Sequence, residues 1–236
     1  VVVGAIVVFY TFRGQLFGPS VPAEVKPVFD YYQSCIEYEV QGAISLAESQ
    51  GGRVYVENYI PGSEYAPFSS QLNFLGFPVP YWFYVSGNGL VKENVPSKAE
   101  MQDEISRYVA EKVNADCRFD DFYEQGAAIN LSAPIVRTTI SDTSVSVSVS
   151  ADMVVSKGDV LARKSTHDAT VQSQFGKLYT SAINIYQNQR DNALLENYSA
   201  DVLRLYAPVD GVEISESLLR GLSPRRSVCL LQIPML

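Results

Sequence analysis

Between Ser144 and Val155 the chain fixes its own geometry. Val145, Val147, Val149, Ala151, Met153 and Val155 alternate with Ser144, Ser146, Ser148, Ser150 and Asp152. A period of two sends one set of side chains to one face and the other set to the opposite face, which only a β-strand does. One face is apolar and the other is solvated, the pattern of an antiparallel sheet covered on one side. Ser141-Asp142 suits a hairpin turn back to a strand over 135–140, and Lys157-Gly158-Asp159 is the next turn. Ala169 to Gln174 supplies another strand. The serine face is an aggregation hazard unless neighbours, glycans or partner subunits cover it.

The cover for the apolar face is written on either side. Val25, Val28, Phe29, Tyr32, Cys35, Ile36, Val40, Ala43, Ile44 and Ala47 recur at steps of three and four, predicting a helix from about residue 25 to 50 that Gly51-Gly52 ends. Arg53 to Tyr59 alternates and reads as a strand. Ser97-Lys98-Ala99-Glu100 is a capping box, so a second helix starts there and runs to about residue 124, burying Met101, Ile105, Tyr108, Val109, Val113 and Cys117. A third runs from about Gly176 to Tyr206, with a bend or break in the polar stretch Gln187–Asn192. The fold class is therefore α+β, with three long amphipathic helices packed on an antiparallel β-sheet. Residues 209–236 read as irregular, with strands at 211–215 and 227–233, a packed C-terminal extension.

Residues 60–96 carry the most aromatics and prolines and the least periodicity. A long irregular stretch in a compact domain is usually an interface or a functional loop. Tyr65, Phe68, Tyr81, Trp82 and Tyr84 are its candidate partner-binding residues. Tyr81–Val85 reads equally as a short buried strand, with Gly87-Asn88-Gly89 as its turn.

Val1 to Phe12 is uncharged and almost wholly apolar, followed by Arg13-Gly14. Twelve helical residues rise only ~18 Å against the ~30 Å of a bilayer core. The segment is thus the outer part of a membrane helix, a core helix of an assembly, or a buried element of the domain. Phe9, Tyr10 and Phe12 resemble an interfacial aromatic belt, and with Val1 and Val8 they are the anchor residues. No cleavable-leader pattern is present. The expected layout is an anchor helix at 1–13, a Gly/Pro-punctuated stalk at 14–24, an α+β ectodomain at 25–206, and the extension from 207. No second apolar run of spanning length occurs, so the chain crosses a membrane at most once. The net charge of −8 argues against nucleic acid and against adhesion to anionic headgroups, which leaves apolar insertion.

Catalytic patterns are absent from the sequence. His167 is the only histidine and sits in the polar run Lys164-Ser165-Thr166-His167-Asp168, which reads as an exposed loop. No zinc spacing, phosphate loop or nucleophile elbow occurs. Asp120, Asp121 and Glu124 read as a solvated helix face rather than a cation site. The expectation is no cofactor, no metal and no catalytic residue. Cys35 and Cys117 are either one disulfide or two buried thiols, and Cys229 is then free or paired outside the chain. Asn130-Leu131-Ser132 and Asn197-Tyr198-Ser199 are glycosylation sequons.

Four stretches carry a resemblance. They are Arg13-Gly14; Val28-Phe29-Asp30-Tyr31-Tyr32-Gln33-Ser34-Cys35-Ile36 running on to Ser49-Gln50-Gly51-Gly52; Pro61-Gly62-Ser63-Glu64-Tyr65-Ala66-Pro67-Phe68-Ser69-Ser70-Gln71-Leu72 continuing to Pro80-Tyr81-Trp82-Phe83-Tyr84-Val85-Ser86-Gly87-Asn88-Gly89; and Val95-Pro96-Ser97 with Cys117 and Phe122–Gly126. On these, residues 1–206 resemble uncharacterised membrane-anchored proteins of small-genome (DPANN-type) archaea. The resemblance implies an N-terminal membrane anchor, a domain outside the cell, and pairing of Cys35 with Cys117. It implies no activity and no ligand.

The reading that follows is a single-pass envelope protein with an extracellular domain that assembles with copies of itself or with other surface proteins. A surface module recognising a partner cell or glycan through Tyr81, Trp82 and Tyr84 is the second reading. An exported carboxylate-dependent hydrolase is the third.

Overall fold

The computed structural model of the protein describes residues 21–56, 70–85 and 89–206, the last four by backbone alone. It is a mixed α+β architecture with antiparallel sheets. Helix α1 spans Lys26–Ser49 and buries Val28, Phe29, Tyr32, Ile36, Val40, Ala43, Ile44 and Ala47. It stops where Gly51 and Gly52 take φ of 64° and 92°, values that suit glycine. Helix α2 spans Lys98–Asp116 and opens on the expected capping box: the Glu100 N–H donates to Ser97 Oγ and the Ser97 N–H donates to Glu100 Oε2.

Between them lie two hairpins. Strands β1 (Gln71–Phe74) and β2 (Phe77–Pro80) pair antiparallel, as do β3 (Phe83–Val85) and β4 (Val91–Glu93). The main sheet follows α2 and a short helix α3 (Asp120–Glu124). Its central strand is β7 (Ser144–Lys157), flanked on one side by β8 (Val160–Gln172). On its other side β5 (Ala127–Leu131) and β6 (Ile135–Ile140) follow one another along the same edge. Ser132 bridges the break: its N–H donates to Asp152 O at 3.0 Å, and its Oγ accepts from the Asp152 N–H at 2.8 Å. A register shift between Ser150 and Met153 marks a bulge in β7 against β8.

Helices α1 and α2 pack on the apolar face, α1 over β8 and α2 over β6. Val145, Val147, Val149, Ala151, Met153 and Val155 are all buried there, as the alternation requires. Each flank of the sheet also receives a glutamine from a helix. Gln33 Nε2 donates to Asp168 O at 2.6 Å, and Gln102 Oε1 accepts from the Ile140 N–H at 3.1 Å. Pairing of this kind occupies strand-edge groups that would otherwise be open to another chain. On the opposite face Ser146 and Thr170 share a hydrogen bond at 3.1 Å.

Several expectations are corrected. Arg53–Val56 forms no strand, because its backbone is held by a side chain of α2 instead. The second helix ends at Asp116 rather than near 124; Cys117 is covalently tied and Phe119 turns into the core. The third helix is interrupted as expected, one residue past the polar stretch: α4 (Phe175–Asn192) and α5 (Leu194–Tyr206) are separated where Ala193 adopts a left-handed φ of 48°. His167 is no loop residue: it lies on β8, fully buried. Residues 60–96 are less irregular than expected, since the two hairpins occupy much of the described part. No helix among the described residues is long and apolar enough to cross a membrane. Val1, Val8, Phe9, Tyr10 and Phe12, most of the 14–24 stalk and the 207–236 extension lie outside the described residues.

Candidate functional site

Cys35 faces α2 from the middle of α1, and Cys117 is the residue at which α2 ends. The two are joined as a disulfide with a Cα–Cα distance of 5.9 Å. The pair sits at the edge of an aromatic cluster. Tyr31 meets Phe119 and Phe122 with ring centroids 5.6 and 5.5 Å apart, and Tyr32 meets Phe119 at 6.0 Å.

On the far side of Tyr32 stands His167, ring edge to ring face, with centroids 4.8 Å apart. His167 Nε2 lies 3.3 Å from Ala151 O, at the bulge. Burial, with the nearby Lys164 ammonium, pushes the imidazole below its ordinary value of 6.5. Burial alone pushes the Tyr32 phenol up to about 12. The Tyr32 hydroxyl and His167 Nδ1 are both buried without a hydrogen-bond partner.

The aromatic segment forms a second cluster. Trp82 is buried, its Nε1–H donating to Gly51 O at 2.9 Å. Its ring lies against Tyr179 and Tyr186 of α4, with centroids 6.4 and 5.8 Å away. The Tyr186 hydroxyl donates to Glu93 Oε1 at 2.6 Å, and Arg190 Nη1 donates to the same oxygen at 3.3 Å. Burial and the Glu93 bond both raise the Tyr186 phenol. The Tyr179 hydroxyl donates to Pro96 O at 2.8 Å. This cluster docks α4 onto the β3–β4 hairpin and the end of α1. Trp82 is therefore not an exposed stacking group, which corrects its assignment to a binding surface. Tyr81 and Tyr84 are half-buried, and Tyr65 and Phe68 lie outside the described residues.

Helix α2 holds the chain after α1 in a similar way. Glu104 accepts from Arg53 Nη1 at 3.0 Å and from the backbone N–H groups of Val54 and Tyr55 at 2.7 and 3.2 Å. Arg107 lies 3.8 Å over the Tyr55 ring, whose hydroxyl donates to Glu111 at 2.6 Å. Burial first, and then the Glu111 bond, push the Tyr55 phenol up to about 12. The Glu104 carboxylate is fully engaged in fixing this segment.

Asn130 on β5 and Asn197 on α5 are both exposed. The Asn197 amide nitrogen donates to Asn192 O at 2.8 Å, and the Ser132 hydroxyl of the first sequon is the one held by Asp152. Among the described residues no group of three or more His, Cys, Asp or Glu side chains is placed to hold a metal ion. Asp120, Asp121 and Glu124 lie exposed on α3.

The features that sequence reasoning missed are apolar and exposed. Leu178 and Ile185 on α4 are 40% and 43% exposed, and Leu194, Leu195 and Tyr198 on α5 are 41–67% exposed. Leu178, Ala182 and Ile185, and likewise Leu194, Leu195 and Tyr198, recur in the sequence at helical spacing, but nothing in such a stripe says whether it is covered. At the β1–β2 turn Phe74, Leu75 and Phe77 protrude. No protein-family model, curated protein or solved structure matches the chain.

Proposed function

We propose that the protein is a structural component of a cell envelope. Its N-terminal apolar segment holds it to a membrane, its α+β domain lies outside the cell, and the domain assembles with copies of itself or with other surface proteins. The observation that carries this reading is the Cys35–Cys117 disulfide. Such bonds persist in oxidising compartments and are rare where thiols are kept reduced. The exposed apolar side chains of α4 and α5 support assembly, because a run of this kind is normally covered by a partner. The two sequon asparagines are solvent-facing, which suits an exported, glycosylated domain. The resemblance to membrane-anchored proteins of small-genome archaea points the same way.

Labelling intact cells with a membrane-impermeant amine reagent tests the location. Lys92, Lys98 and Lys177 are exposed on the domain. Their modification without lysis supports the proposal, and modification only after lysis contradicts it. The recognition reading loses its main residue with the burial of Trp82.

A further inference from the structure

The turn of the β1–β2 hairpin is Phe74-Leu75-Gly76-Phe77. Leu75 has φ 50° and Gly76 has φ 93°. Positive φ at both central residues is what a two-residue hairpin turn of the primed type requires, and Asn, Asp or Gly normally fills the first position. A leucine there is strained, since its Cβ crowds the backbone. Packing does not repay that strain, because the side chain is 85% exposed. Phe74 and Phe77 flank it at 41% and 51% exposure. An apolar side chain is thus held outward at a cost, between two aromatic shoulders.

The surroundings say what the tip meets. From Tyr65 to Val91 the chain contains no Asp, Glu, Lys, Arg or His. A protein-binding hot spot is rich in Trp, Tyr and Arg and has a polar rim. The tip has none of these three residue types, and Leu is under-represented at such spots. A stable partner interface also needs roughly 800 Å² from each side, which a four-residue turn does not supply. The Gly76 N–H donates to Asn73 Oδ1 at 3.0 Å, so this turn donor is satisfied within the hairpin. In hydrocarbon an unpaired amide is costly, and internal pairing removes that cost. A charge-free tip carries no electrostatic penalty on entering lipid, although the chain as a whole has a net charge of −8.

We infer that Phe74, Leu75 and Phe77 form an apolar finger that inserts into a lipid surface. Insertion is driven by apolar transfer and needs no anionic headgroup.

The test uses the full chain with excess phosphatidylcholine vesicles, brominated on the acyl chains or not. Wild-type emission comes from buried Trp82, the only tryptophan, and serves as the reference. Leu75→Trp adds an indole at the tip. The expected result is a blue-shifted tip emission that brominated vesicles quench, and loss of both effects when Phe74→Ser and Phe77→Ser are added. Phe77→Trp in place of Leu75→Trp gives the same blue shift and quenching, lost when Phe74→Ser and Leu75→Ser are added. Circular dichroism confirms that each variant is folded. Emission of a water-exposed indole in the presence of vesicles, from both probes, overturns the inference. So does a blue shift that appears without lipid as protein concentration rises, which would assign the tip to a second copy of the chain.

Discussion

The indole of Trp82 donates to the carbonyl of Gly51 at 2.9 Å, so the link between the two hairpins is tied to the end of α1 by a buried hydrogen bond. Trp82→Phe keeps most of the packing but leaves the Gly51 carbonyl unpaired. The expected loss is about 1 kcal/mol. Trp82→Ala also removes the contacts with Tyr179 and Tyr186, and about 3–5 kcal/mol is expected. Urea unfolding of the three forms reads both values; equal losses would mean that the bond, not the ring, holds α4 in place.

The disulfide closes a separation of 82 residues. In the chain-entropy account a loop of that length restrains the unfolded state by about 4–5 kcal/mol. Cys35→Ser with Cys117→Ser is expected to lower the melting temperature steeply. Reductant lowers it for the wild type and leaves the double variant unchanged. Thermal scans with and without reductant measure this.

His167 supplies a pH dependence with a definite sign. Its folded value lies below 6.5, so the native state binds fewer protons than the unfolded one in that window. The stability tied to its neutral form is complete above about pH 6.5 and is lost as pH falls from there to the folded value. His167→Leu removes that slope. Unfolding free energies between pH 7.5 and 5 test it, with the wild type losing more stability on acidification than the variant.

Gly176 is the second residue of α4 and packs against the backbone of the β6–β7 turn. A Cβ there would sit 2.2 Å from Ser141 O and 2.9 Å from its carbonyl carbon, both backbone atoms. Gly176→Ala must displace either the β6–β7 turn or the start of α4, beside fully buried Phe175. Overpacking of this kind costs about 1–3 kcal/mol, read as a shift of the urea midpoint.

Periodicity carried most of the fold. The alternation at Val145–Val155 and the three-four steps of α1 survive into the structure because each describes a face that is buried along its whole length. The capping box at Ser97 and Glu100 is local chemistry, legible at four residues' distance. The misreadings have physical causes. The strand expected from Ala169 starts at Val160: Lys164, Ser165, Thr166 and Asp168 are exposed, leaving His167 and Ala169 as the buried side chains over that stretch, so no apolar alternation marks it. The β1–β2 turn gave no Asn-Gly or Asp-Gly signal, since Leu75 fills the strained position. Whether a stripe is covered depends on neighbours that no window of sequence contains, and so the exposed residues of α4 and α5 emerged only with the structure.

The central claim is an exported domain that works as part of an assembly. Native mass measurement of the protein extracted from its membrane in mild detergent, without reductant, tests it most directly. The account predicts particles containing two or more copies, or a copy with other surface proteins, each with Cys35 and Cys117 bonded. A monodisperse single chain with both thiols free would contradict it.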